Sequence, residues 1–318
     1  MRVLVPLNNI EHMQDYMDAG AGEFYIGFYD NAWWKEFGEY ADINRMSGYK
    51  ERANPHDFQK VLQIIQEIKK FEKLIYVTFN SSMYSKEQFV YIRKYFQELK
   101  KVGVDGVIVS CVELVKIAEE IGLPSVISTI SGVYNSDIAR FYAKEGAKRI
   151  ILPRDLSVEE IEKITKEVKE VEYEVFMMRN GCMYSDSNCL GFHRSEKCSV
   201  CSSIIQSPNE IKMEKDDFKT RNATELNDMI YLDHFHPNAC GLCAIYRFVK
   251  MGITACKIVG RSDEWECVCE DIRMVARNVE IAKVCESEEE FFDKMEMPED
   301  RVTRCKLGLS CYYPEMRF

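Results

Sequence analysis

The sequence predicts a (β/α)8 barrel, a TIM-like α/β fold with a long cysteine-rich insertion between strands 7 and 8. Three observations carry that expectation. Eight short apolar runs are rich in strand-forming residues. Amphipathic helices alternate with most of them. One connection, residues 178–253, is far longer than the rest. Short apolar runs suit parallel strands buried on both faces. Alternating βα units fit a closed barrel or a doubly wound open sheet, and the count of eight favours closure.

The elements follow in order. Val3-Leu4-Val5 is the first strand, followed by a helix over Ile10–Asp18. Glu23–Gly27 is the second. The next helix spans Phe58–Phe71, where Val61, Ile64, Ile65 and Ile68 share one face at helical spacing. Leu74–Thr78 is the third strand, and the helix Lys86–Lys101 stops at Gly103. Gly106–Ser110 is the fourth, followed by a helix over Glu113–Ile121, and Ser125–Ser128 is the fifth. Asn135 or Ser136 caps a helix over Asp137–Glu145 that stops at Gly146. Arg149–Leu152 is the sixth strand. Ser157, with Glu160 three residues on, forms a capping box for the helix that follows. Tyr173–Met177 is the seventh strand, Thr254–Ile258 the eighth, and a long final helix covers Glu264–Val284. The expected organisation is one barrel domain over 1–286, including the insertion 178–253, with a C-terminal extension over 287–318 packed on it.

Composition narrows the function classes. With 46% hydrophobic and 30% charged residues in 318, the chain can bury a large core and keep a soluble surface. No run approaches the ~20 apolar residues of a membrane span. Met1–Pro6 lacks a basic region followed by an apolar segment, so a cytoplasmic location is expected. The net charge of −10 argues against a general nucleic-acid binder, while leaving room for a local basic cleft. It leans towards a small molecule or a modified peptide over bulk RNA.

Cysteine is the outlier. Ten of the 13 lie between Cys182 and Cys285. In a cytosolic chain such clustering points to metal or catalysis. The insertion leaves the seventh strand at the C-terminal face, where barrel active sites lie. It carries Cys182, Cys189, Cys198, Cys201, Cys240 and Cys243. Cys198-Ser-Val-Cys201 and Cys240-Gly-Leu-Cys243 are two CxxC pairs. They could build a structural zinc site, but their separation is long for a knuckle, and Cys182 and Cys189 add ligands that a four-coordinate zinc cannot use. A [4Fe–4S] cluster also takes four cysteines. On chemistry alone, zinc and iron–sulfur both stand.

Glu174-Val-Phe-Met-Met-Arg-Asn-Gly-Cys182, followed by Cys189, resembles the signature of peptidase family U32, the collagenase-like family. The similarity extends to Leu4-Val-Pro-Leu7, Asp18-Ala-Gly-Ala21, Tyr25-Ile-Gly27, Tyr76–Asn80, Asn135-Ser136, Ala139-Arg-Phe141, Arg149–Ser157 and Gly252-Ile253 with Lys257–Arg261, about 260 residues in all. The resemblance implies an oxygen-independent hydroxylase carrying a [4Fe–4S] cluster, as in members acting on tRNA uridine, ribosomal RNA cytidine or the ubiquinone ring. It also implies Cys182 and Cys189 as ligands, Cys198 or Cys201 as the third, and Cys240 or Cys243 as the fourth. Of these, Cys201 and Cys240 complete the expected cluster set. Where the family has the glutamate of its KIEGR strand, this chain has Val259.

Other candidates cluster at strand ends. Lys257, Arg261 and Arg154 could clamp a substrate anion, and Lys257 could equally pair with a barrel carboxylate. Asn80 and Thr129 could hydrogen-bond a ligand. His193 is near enough in sequence to the cysteines to support them. His234 and His236 read as loop residues beside the insertion. Tyr29, Trp33, Trp34 and Tyr40 could stack on a planar substrate. Cys256 reads as core, and Cys305 with Cys311 could supply a further ligand pair or remain plain thiols.

Three functions are therefore in play. The first is iron–sulfur-dependent hydroxylation of an aromatic or nucleobase-like substrate, whether small molecule, modified peptide or RNA base. The second is a hydrolase, although the sequence shows no HExxH, no GxSxG and no convincing Cys–His pair. The third is a non-catalytic iron–sulfur partner, as a homodimer or paired with a related family member. No membrane association is expected.

Overall fold

The computed structural model describes residues 1–7, 9–182, 185–189, 235–308 and 310–317. Eight strands close in chain order into one parallel barrel. They are β1 (Arg2–Pro6), β2 (Glu23–Ile26), β3 (Leu74–Phe79), β4 (Gly106–Val109), β5 (Ser125–Ile127), β6 (Arg149–Ile151), β7 (Glu172–Met178) and β8 (Ala255–Ile258). At the seam β1 runs beside β8, with Arg2 opposite Ala255 and Leu4 opposite Lys257. Closure removes the open-sheet alternative.

Helices cover the outside. They are α1 (Met13–Asp18), α2 (Asn31–Phe37), α3 (Phe58–Lys69), α4 (Lys86–Lys101), α5 (Val112–Ile121), α6 (Ser136–Lys144), α7 (Val158–Glu167), α8 (Ile245–Met251), α9 (Trp265–Val284), α10 (Glu288–Lys294) and α11 (Glu299–Leu307). The stripe Val61, Ile64, Ile65 and Ile68 of α3 is buried against the barrel, as its spacing requires. Asn135 caps α6 through its side chain. Ser157 and Glu160 close a reciprocal capping box on α7. Among the described residues no helix is long and apolar enough to cross a membrane.

Two expectations need correction. The helix α9 is not the last, because α10, capped by Ser287, and α11 follow it. Their charged sequences hide the short apolar periodicity. The aromatic group after β2 does not face the mouth. It folds around α2, where Trp33 is buried and packs edge-on against Phe37 at 4.6 Å and Tyr91 at 5.8 Å. Tyr29 stacks on Trp34 at 5.7 Å, and Tyr40 is 72% exposed. Three of the rings pack in and beside the helix layer, the fourth is exposed, and none lines the mouth cavity.

The barrel interior is polar through much of its height. Arg149 on β6 donates to Glu23 on β2 at 2.6 Å. Strands two and six lie on opposite sides of an eight-stranded barrel, so this bond crosses the interior. Arg149 also donates to Glu172 at 2.7 Å and lies 5.0 Å from the Tyr76 ring centre. Above it, Lys257 on β8 donates to Glu174 on β7 at 3.0 Å and sits 4.0 Å over the Tyr25 ring of β2. Charges taken this far from water persist because each is paired.

Candidate functional site

The cavity at the C-terminal mouth measures about 320 Å³. That lies at the small end of ligand-site volumes. Its floor is the upper barrel layer: Tyr25, Thr78, Ile108, Ile151, Phe176 and Lys257. Its wall comes from the loops after the strands, with Arg45, Asn80, Thr129, Arg154, Cys182, His236 and Arg261. Lys257, Arg261, Arg154, Asn80, Thr129 and Cys182, all singled out from sequence, are thus brought together at the place a barrel offers for chemistry.

The loop carrying Cys182 leaves β7 through a strained turn. Arg179 and Asn180 both adopt left-handed backbone, with φ of 65° and 48°. Such residues cost about 1–3 kcal/mol each and persist only where the surroundings hold them. Here the surroundings do. The Arg179 N–H donates to Ala239 O at 2.8 Å, and the Gly181 N–H donates to His236 O at 3.0 Å. Arg154 donates to Asn180 O at 2.6 Å. The Arg179 guanidinium donates to Asp271 on α9.

Asp186 anchors the same loop between the two signature cysteines. It is fully buried. Arg154 Nε donates to it at 2.7 Å, Arg45 Nη1 at 2.7 Å and Thr129 Oγ1 at 3.0 Å. Burial opposes the Asp186 charge, but Arg154 and Arg45 outweigh it and hold the carboxyl well below the usual range. Arg154 also lies 4.2 Å from the Phe176 ring centre. Its guanidinium is thereby committed to holding the loop. Sequence reasoning missed Asp186 and Arg45. Asp186 is the only acid between Cys182 and Cys189; Arg45 gave no local signal.

Arg261, just past β8, points back over the cavity. Its guanidinium donates to Asn54 Oδ1 and Thr78 Oγ1 at 3.2 Å each and to Asn44 Oδ1 at 3.3 Å. Burial, with the neighbouring Arg45 charge adding to it, lowers its pKa to about 10. Gly27 makes room for this arrangement, since a Cβ there would overlap both the Arg261 guanidinium and the Asn54 amide. Lys257 is lowered by burial, against the pull of Glu174. Asn80 donates to Ser128 Oγ at 3.1 Å and accepts the Arg45 N–H at 3.2 Å, so it holds a loop at the rim. His236 is lowered by burial, with Arg154 adding to the effect.

The cysteines divide into groups. Cys182 faces the cavity close to Arg154, and Cys189 lies close enough to Arg45 for its charge to act there. Cys240 and Cys243 do not line the mouth; they line a separate small cavity with Cys305 and Cys311. Cys256 is buried in β8 as expected. Cys198, Cys201, His193 and His234 lie outside the described residues. Among the described residues, no three His, Cys, Asp or Glu side chains are already gathered as a metal-ion site.

Comparison with known proteins fits this picture. The sequence pattern of peptidase family U32 matches residues 8–313. The chain is 24% identical over 269 residues to tRNA hydroxylation protein P1 of Bacillus subtilis (strain 168), covering 81% of this chain and 58% of that protein. It is 26% identical over 211 residues to an uncharacterized protease of Methanocaldococcus jannaschii, covering 63% and 47%. It is 28% identical over 141 residues to tRNA hydroxylation protein P of Escherichia coli (strain K12), covering 44% and 31%. The chain thus spans less than two thirds of the length of each of these relatives. By its sequence, this chain belongs to peptidase family U32.

Proposed function

We propose that the chain is an iron–sulfur-dependent enzyme that hydroxylates a nucleobase, with an RNA base, of tRNA in particular, as the substrate class. The observation that carries this reading is the mouth itself: a signature cysteine, Cys182, facing a closed-bottomed cavity ringed by buried cations. The relatives named as tRNA hydroxylation proteins favour an RNA base over the small molecule that the acidic balance suggested. The hydrolase reading rests on one observation, that Cys182 and His236 line the same cavity. It predicts peptide cleavage that needs no metal. Reduced thiols of this number suit the cytoplasm.

The residues present fit a thiolate-ligated cluster. Cys182 and Cys189 flank Asp186 on a loop clamped by Arg154 and Arg45. Cys182 and Cys189 would hold the group; the sequence offers Cys198 or Cys201 as the third donor and Cys240 or Cys243 as the fourth, and because the last two line the separate cavity, Cys198 and Cys201 are both taken as donors in this reading. When bound, a [4Fe–4S] cluster would supply one-electron transfer or, with an open iron site, a position for an oxygen donor other than dioxygen. The protein's own residues do the rest. Arg261 and Lys257 set a positive field over the cavity floor. Barrels commonly bind phosphate in the loops after strands seven and eight. An anion there would offset the desolvation that lowers Arg261. Phe176 and Tyr25 give a planar base an apolar floor. Asp186 keeps the cysteine loop in register with that floor.

The test is nucleoside mass spectrometry of tRNA from cells expressing the chain in a host without hydroxylated bases. One added oxygen on a base is expected with the wild-type chain and its absence with Cys182→Ser. Unmodified tRNA with the wild-type chain, together with peptide cleavage that survives chelation, would replace this reading with the hydrolase.

A further inference from the structure

Away from the mouth, four thiols from separate stretches of chain meet beneath the C-terminal helices. Cys240 and Cys243 lie just before α8, Cys305 lies in the last turn of α11, and Cys311 follows it. The left-handed Gly308, with φ of 71°, ends α11 and turns the chain back. Residues 310–312 then run beside Cys240. The Cys240 N–H donates to Ser310 O, and the Tyr312 N–H donates to Cys240 O, each at 2.8 Å. All four cysteines line one cavity of about 20 Å³ together with Arg301 and Arg304. None of the four is in a disulfide. Burial pushes the Cys311 thiol up to about 11, with Cys305 and Cys240 adding to the effect. Burial raises Cys243 too, followed by Cys240, Cys305 and Cys311.

We propose that Cys240, Cys243, Cys305 and Cys311 ligate a second metal centre beside the barrel, distinct from the mouth. Four soft thiolates are the donor set of a closed zinc site or of an iron–sulfur cluster. Such a centre carries net negative charge, and Arg301 and Arg304 stand beside it to offset that charge. Protein interiors contain few voids large enough for a water molecule; this one lies among four sulfurs. Zinc would draw the thiolates to ~2.3 Å and close it.

The site has a structural consequence. It ties Cys305 and Cys311 to Cys240, and so fixes the segment whose Tyr313 hydroxyl donates to Phe176 O at 2.9 Å. The Tyr312 hydroxyl likewise reaches Arg179 O on the mouth turn. The proposal removes Cys240 and Cys243 from the mouth's ligands and stands whether or not the mouth holds a cluster.

The test uses the full chain, purified without oxygen, with zinc, iron and sulfide measured per chain. The forms compared are wild type, Cys305→Ala/Cys311→Ala and Cys182→Ala/Cys189→Ala, each checked for folding by circular dichroism. The Cys305/Cys311 variant should lose one centre's metal, zinc or iron with sulfide, and keep whatever depends on Cys182 and Cys189. Wild-type metal content in that variant overturns the proposal. An unchanged Cys182/Cys189 variant instead counts against the mouth cluster alone. Should the Cys305/Cys311 variant not fold, native alkylation of the wild-type chain decides. Cys240, Cys243, Cys305 and Cys311 should become reactive together once a strong chelator removes metal. Labelling that metal removal does not change overturns the proposal.

Discussion

The two ends of the barrel interior both bury arginine–carboxylate pairs, yet the pairs serve different ends. At the closed end, Arg149 is 2% exposed and joins Glu23 and Glu172, all on strands. Rigid elements supply every member, so the pair ties β2 to β6 and β7 and does little else. At the mouth, Arg154 and Arg45 share Asp186, and all three lie on loops. That pair holds a strained turn and the loop from Cys182 to Cys189, with Cys182 against the cavity. The same chemistry fixes the fold at one end and positions a cysteine-bearing loop at the other.

Substitutions can separate the two roles. Glu23→Gln removes the fully buried carboxylate that Arg149 meets across the barrel, leaving it Glu172, and should cost about 3–5 kcal/mol in chemical denaturation. The protein that remains folded should keep its mouth chemistry. Asp186→Asn should cost a similar or slightly smaller amount, about 3 kcal/mol, because two arginines lose one carboxylate, and it should also abolish activity. Its pH signature is distinctive. The Asp186 carboxyl is depressed in the fold. Its stabilisation is therefore full above the unfolded value of ~3.9 and is lost as pH falls through the lower folded value. The stability gap between wild type and Asp186→Asn should narrow as pH drops below ~4; a gap that stays constant in acid removes Asp186's charge from the account.

Smaller changes sharpen the contrast. Gly27→Ala forces a methyl group against Arg261 and Asn54. It should cost about 1–3 kcal/mol by overpacking and weaken anion binding, measurable by calorimetry with inorganic phosphate. Ser157→Ala removes only the α7 cap and should cost about 1 kcal/mol in thermal unfolding, with no change at the mouth.

The barrel was legible because its signals are local. Runs such as Val107-Ile-Val109 and the stripe of α3 declare period and burial within a few residues. The capping box at Ser157 and Glu160 is written within four residues. Half of the site was legible for the same reason, since Arg154, Lys257 and Arg261 follow or end strands and must face the mouth. The remainder depends on contacts across sequence. Arg45 meets Asp186 across 141 residues. Cys305 and Cys311 reach Cys240 only because Gly308 turns the chain back. The aromatic loop misled because Trp33, Phe37 and Tyr91 pair through a helix too short to show a period.

The most direct test of the central claim is elemental analysis with the visible spectrum of the chain purified without oxygen, before and after Cys182→Ser. The account predicts brown wild-type protein with inorganic sulfide and iron, and a variant that loses the iron and sulfide of the mouth centre while staying folded. A colourless wild-type chain, or a variant with an unchanged spectrum and iron content, would contradict it.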